Sequence, residues 1–347
     1  MQSTDRHTDE YFMKRAIQLA GSGLGTVSPN PLVGCVIVHQ NKIIGEGWHQ
    51  KYGEAHAEVN AVNSMTDKSL LPQSTVYVNL EPCSHFGKTP PCADMLIREK
   101  LGRVVISNSD SNPLVGGEGI KRLRSAGIEV LEGVLQSEGR ELNKRFFTFM
   151  EKKRPYFILK WAQTADGFIA RKDFDSKWIS NELSRQLVHR WRTEEDAVLV
   201  GKNTAKYDNP SLNVRNWTGR DPLRIVIDPN LELSAALNVF DRSQRTLCFN
   251  LVKEEDHPML SYIRMDEKNF LKQIVDHLHR QKVQSVIVEG GTNTIQAFIN
   301  AGLWDEARVF TSRKTFTAGI PAPVLTGNVV RRDQLQDDML EIIYPAG

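Results

Sequence analysis

The sequence predicts an α/β protein of two domains in series, and three observations carry that prediction. The chain has 347 residues, whereas an ordinary domain takes about 100–200. Short apolar, β-branched runs alternate with segments of helical periodicity in both halves. Between the halves the apolar run Phe146-Phe147-Thr148-Phe149-Met150 gives way to the basic, proline-bearing junction Lys152-Lys153-Arg154-Pro155. The domains are accordingly expected at residues 1–153 and 154–347.

Along the first domain, Asp9 to Ala20 reads as a helix, with Phe12, Ala16, Ile17 and Leu19 forming its apolar stripe and Gly21 and Gly23 ending it. The stretch Gly21-Ser22-Gly23-Leu24-Gly25 follows a helix and not a strand, so it is not a dinucleotide-binding turn. Val33 to Val38, Thr75 to Asn79 and Arg103 to Ser107 are buried-strand candidates. His56 and Glu58 open a helical run to Val62, and Cys92 opens another through Arg98. After the junction a strand begins at once, Tyr156 to Trp161. Ala197 to Val200, Arg224 to Ile227 and Ser285 to Val288 are short and β-branched, as buried parallel strands tend to be. The last runs into Glu289-Gly290-Gly291-Thr292 and a helix from Asn293 to Ala301. Such a turn exposes backbone N–H groups to a phosphate, although two glycines also make an ordinary strand-to-helix turn.

Composition narrows the partners. A balance of 44 basic against 42 acidic residues leaves +2, with no dense Lys/Arg run, which argues against nucleic acid and for small molecules. The N-terminus lacks a signal-peptide core, and no apolar run reaches membrane-spanning length. Four cysteines are too few for a disulfide framework once two are given to a metal. A cytoplasmic homo-oligomer without membrane partners is expected.

The chemistry concentrates in His56-Ala57-Glu58, Pro82-Cys83 and Cys92. A catalytic zinc ion keeps three protein ligands and one open position, and His56, Cys83 and Cys92 supply three. Glu58 is left over, close enough in sequence to reach a water at the metal, whose pKa the ion lowers to roughly 7. The arrangement matches the zinc nucleobase deaminase signature, except that eight residues, Ser84 to Pro91, separate the cysteines instead of two. Lys88 and His85, in that tethered loop, suit a phosphate on the substrate. Cys92, at a helix N-terminus, is expected to favour its thiolate. A zinc-stabilised interaction protein remains an alternative, with His49 or His85 as the fourth ligand. So does a nucleic-acid deaminase with an accessory domain.

The segments Ser28 to Gly34, His56 to Glu58, Glu81 to Cys92 and Ser111 to Ile120 resemble the bifunctional riboflavin biosynthesis deaminase–reductase family. The resemblance implies a cytidine-deaminase-like zinc domain with one Zn2+ per chain, Glu58 as proton carrier, and Asn30, His49, His85 and Lys88 around a phosphorylated pyrimidine. Lys160 to Gly167, Trp178 to Ser180 and Val200 to Leu212 resemble its reductase half, a dihydrofolate-reductase-like domain using NADPH. Ala162, Trp178, Thr204, Asp208 and Gly291 would then line the cofactor. Ser176, Arg192, Leu212, Arg215 and Glu289 would face the ribosyl phosphate, where guanidinium forks grip phosphate well. Thr164-Ala165 stands where the family has Ser-Leu, and Lys314 to Pro323 matches only loosely.

Overall fold

The computed structural model describes residues 3–85, 90–111, 116–177 and 179–346. The chain divides into two compact units, Met1–Lys153 and Arg154–Gly347.

The first unit runs α1 (Ser3–Gly21), β1 (Gly34–His39), β2 (Lys42–Trp48), α2 (Ala57–Ser64), β3 (Thr75–Leu80), α3 (Cys92–Arg98), β4 (Arg103–Asn108), α4 (Glu118–Ser125), β5 (Glu129–Glu132), α5 (Gln136–Leu142) and α6 (Lys144–Lys152). Among the described residues the sheet order is β2-β1-β3-β4-β5. The pair β1–β2 and the pair β1–β3 are antiparallel, whereas β3, β4 and β5 run parallel. Side chains alternate between two buried faces, which is why these strands read as unbroken apolar runs. Ile37, Val76, Val78 and Ile106 pack under Ala61, Leu96 and Leu123. Val36, Val38, Tyr77 and Val105 pack against Phe12, Met13 and Ala16 of α1. Helix α1 is fixed there by Asp9, which takes a forked ion pair from Arg103 at 2.8 Å and a hydrogen bond from the Tyr77 hydroxyl at 2.8 Å. On the other face α2 lies directly on β2: a Cβ on Gly47 would sit 2.3 Å from Ala61 N.

The second unit runs β6 (Tyr156–Gln163), β7 (Phe168–Ala170), α7 (Glu182–Glu194), β8 (Ala197–Gly201), α8 (Lys202–Asp208), β9 (Leu223–Ile227), β10 (Thr246–Asn250), β11 (Leu260–Arg264), α9 (Phe270–Arg280), β12 (Ser285–Val288), α10 (Thr292–Asn300), β13 (Glu306–Thr311), β14 (Ile320–Pro321), β15 (Gly327–Leu335) and β16 (Asp338–Pro345). Its main sheet has the order β11-β10-β9-β8-β12-β6-β13-β16-β15. It is parallel from β11 to β13, and β16 and β15 add antiparallel. The chain moves outward from β8 to β11, then returns to insert β12 between β8 and β6. Ligands of open α/β sheets gather at such a reversal, outside the carboxyl ends of the strands. Apolar side chains of α9 and α10, including Ile274, Leu278, Ile295 and Phe298, cover one face. No helix among the described residues is long and apolar enough to cross a membrane.

Candidate functional site

In the first unit three neighbouring segments bring the ligand atoms together. His56 is the residue before α2, Cys92 is the first residue of α3, and Cys83 follows β3. The sulfurs of Cys83 and Cys92 lie 3.5 and 3.4 Å from His56 Nδ1. Tetrahedral zinc with Zn–N about 2.0 Å and Zn–S about 2.3 Å needs an N···S edge of about 3.5 Å. The donor set therefore fits zinc. Among the described residues the metal-capable cluster is these three and no more. His49 is occupied otherwise: its Nδ1 meets the Ala55 carbonyl at 3.0 Å and its Nε2 meets Asn30 Nδ2 at 3.1 Å.

Glu58 is 3% exposed. Burial first, and the Cys83 charge second, push its carboxyl up to about 7; a bound dication opposes that shift. The hydrogen bond between the two thiols lowers Cys83, while that same bond and burial raise Cys92. Cys83 also accepts the Cys92 N–H at 3.3 Å, and zinc binding would require both sulfurs as thiolates.

Asn30 and His49 are brought to the triad, the His49 and His56 rings lying 5.5 Å apart. His85 is exposed. Lys88 and residues 112–115 lie outside the described residues. Glu81, given no role of its own by the motif it opens, is 5% exposed and accepts backbone N–H groups of Asp110, Gly117, Gly119 and Ile120 at 2.9–3.2 Å. It ties the segment before Cys83 to the start of α4. Its signal in the sequence is an acid directly after an apolar strand.

In the second unit a cavity of about 880 Å³ opens at the carboxyl ends of β6, β8 and β12, near the upper end of small-molecule sites. Ala162, Ser176, Arg192, Thr204, Asp208, Arg215, Glu289 and Gly291 all line it. Trp178 lies outside the described residues. Leu212 lies between the lining residues Ser211 and Asn213, with its side chain 2% exposed in the apolar cluster of Val198, Val200 and Val226. Its φ of 53° turns the chain there, so any contact with a substrate would come from its main chain.

The turns after the adjacent strands β8 and β12 lie side by side on one wall of the cavity. A Cβ on Gly201 would lie 2.1 Å from Thr294 Oγ1, so only glycine lets α8 and α10 start side by side. Arg192 grips Glu289 through Nε and Nη2 at 2.8 and 2.9 Å, and Lys160 Nζ lies 3.6 Å from the same carboxylate. Burial alone would raise Glu289, but Arg192 and then Lys160 hold it near 2. Burial lowers the Lys160 ammonium. Lys160 sits inside an apolar strand run, where the sequence alone gives it no distinct role. Ser176 donates to Asp208 at 2.8 Å, which joins a residue expected at the substrate to one expected at the cofactor. Arg192, Lys160 and Arg215, with two helix starts in one cavity, give a basic cleft compatible with a nicotinamide dinucleotide and a phosphorylated substrate.

A three-ligand zinc pocket in one unit and a dinucleotide-sized cleft in the other define a two-site enzyme, a deaminase joined to a reductase. Residues 6–108 match the cytidine and deoxycytidylate deaminase zinc-binding region, and residues 155–332 match the RibD C-terminal domain. The riboflavin biosynthesis protein RibD of Aquifex aeolicus is 41% identical over 325 residues, spanning 91% of this chain and 90% of that protein. RibD of Escherichia coli is 38% identical over 326 residues, 88% of each. The crystal structure of a diaminohydroxyphosphoribosylaminopyrimidine deaminase/5-amino-6-(5-phosphoribosylamino)uracil reductase from Thermotoga maritima matches at TM-score 0.91 and 38% identity, covering 99% of this chain and all of that one. The chain belongs to the RibD family of riboflavin biosynthesis proteins.

Proposed function

We propose that the first unit hydrolytically deaminates 2,5-diamino-6-ribosylamino-4(3H)-pyrimidinone 5′-phosphate. The second unit then reduces the ribosyl group of 5-amino-6-ribosylaminouracil 5′-phosphate to ribityl with NADPH. The observation that carries the first half is the His56, Cys83 and Cys92 cluster with a buried carboxylate, Glu58, left outside the ligand set. Zinc held by His56, Cys83 and Cys92 would make water a nucleophile at neutral pH. Glu58 would carry the first proton of that water to the ring nitrogen, and then the second, from the hydroxyl of the tetrahedral adduct, to the amino group that leaves as ammonia. Asn30 and His49 orient the pyrimidine, and His85 and Lys88 meet its phosphate.

In the reductase cleft NADPH, if bound, would supply hydride to the ribose C1′. The bond from C1′ to the ring oxygen would break as the new C–H bond forms, and that oxygen would take a proton from solvent to become a hydroxyl. Ala162, Thr204, Asp208 and the Gly291 turn, with Trp178, hold the cofactor, while Ser176, Arg192, Arg215 and Glu289 hold the phosphorylated sugar. Cytoplasmic residence and homo-oligomeric assembly belong to the same proposal; four cysteines free of disulfides support the first.

Incubating the purified chain with the diaminopyrimidinone and identifying products by mass tests this reading. Without NADPH the product should have exchanged an amino group for oxygen; with NADPH it should also carry two further hydrogens. An unchanged substrate in both would refute the assignment.

A further inference from the structure

Asn143 lies between α5 and α6, far along the chain from the metal motif, and the chemistry above makes no use of it. Its side chain is 2% exposed. Oδ1 accepts the Leu32 N–H at 2.8 Å and Nδ2 donates to the Leu32 carbonyl at 2.9 Å, so a single amide takes both main-chain groups of one residue. Asn79, fully buried on β3, donates to the same carbonyl at 2.9 Å and accepts the Gly34 N–H at 2.8 Å. The Leu32 side chain packs with Ala20 and Val27, against which Leu142, the neighbour of Asn143, also packs.

The clamped segment is the one that reaches the deaminase pocket. Two residues before Leu32, Asn30 meets His49 Nε2 at 3.1 Å. One residue after it, the Val33 carbonyl accepts the His49 N–H at 2.8 Å. Loops usually satisfy their backbone with water or with neighbouring main chain. Burying two carboxamides to hold one residue carries a desolvation cost that only a fully paired network offsets. Its effect is to fix the height at which Asn30 and His49 stand beside His56.

We propose that Asn143 is a positioning residue for deamination: by gripping the Leu32 main chain it sets the reach of Asn30 towards the pyrimidine. This rests on the reading of the first unit as a pyrimidine deaminase with Asn30 against the substrate. Asn143→Asp is nearly isosteric. It keeps an acceptor for the Leu32 N–H but sets a carboxylate oxygen against the Leu32 carbonyl.

The experiment measures deamination kinetics, zinc content and reductase turnover on the full-length chain. Displacing a substrate contact by a fraction of an ångström should lower kcat/KM for deamination by about tenfold to a hundredfold, mainly through KM. Zinc should stay bound, and reduction of the already deaminated substrate should be unchanged. In an Asn30→Ala background the same substitution should cost less than about twofold further, because two residues acting through one contact are not additive. Asn143→Ser, which leaves room for water at Leu32, is the second variant should the carboxylate unfold the loop. Unchanged deamination, additivity with Asn30→Ala, or zinc loss in both variants would overturn the proposal. If wild type itself fails to deaminate, the deaminase reading falls instead.

Discussion

Glu58 stands two residues beyond a metal ligand, on the first turn of a helix, with 3% of its surface exposed. If that carboxylate moves protons and does not hold the ion, as proposed, the two functions can be separated by one atom. Glu58→Gln should retain about one zinc per chain and lose deamination, as metal analysis and ammonia release would show; loss of the metal would make Glu58 a ligand. In the other unit the decisive residue is Glu289. Its carboxyl is held near 2, below its ordinary 4.5, so its contribution to stability is complete above the ordinary value and disappears as pH falls through the lower one. Comparing urea unfolding of wild type and Glu289→Gln should reveal it. The stability difference between them should shift by on the order of 3 kcal/mol against wild type from about pH 5 to about pH 2. A pH-independent difference would mean that Arg192 and Lys160 do not hold the charge.

At the scale of elements, the metal site is the convergence of one strand end and two helix starts, and its precision depends on how closely those helices lie on the sheet. Because a Cβ at Gly47 would collide with the α2 backbone at Ala61 and Ala57, Gly47→Val should push α2, and His56 with it, off β2. Weakened zinc retention and lost deamination are expected, with a cost to the first unit of at least about 1–3 kcal/mol for overpacking. Retained zinc and activity would show that α2 is free to slide.

The strands that form the centre of each sheet were readable because both faces are buried: Thr75–Leu80 and Ser285–Val288 sit where continuous β-branched runs placed them. Strand β15, Gly327–Leu335, was not readable, since most of its residues are exposed and it owes its place to the ladder with β16. The cluster of His56, Cys83 and Cys92 that could hold a metal was legible as a local motif. The groups that orient their surroundings, Asn79, Glu81 and Asn143, were not, because a buried polar residue identifies its partner only after distant segments have met. Nor does the sequence tell that the Leu212 side chain turns inward while its neighbours Ser211 and Asn213 line a cavity.

For the molecule as a whole, each unit has its own sheet, its own buried clusters and its own site. Every metal-binding candidate precedes Lys153, and every dinucleotide-binding candidate follows Arg154. On the proposed reading, one chain carries two independent catalysts. The most direct measurement treats the protein with a zinc chelator and follows both reactions, each on its own substrate. Deamination should stop, while NADPH-dependent reduction of the deaminated substrate continues at nearly its original rate; Arg215→Ala, at the reductase cavity, should reverse that pattern. Loss of both activities on chelation, with the chain still folded, would contradict the claim, because the metal would then serve the reduction as well.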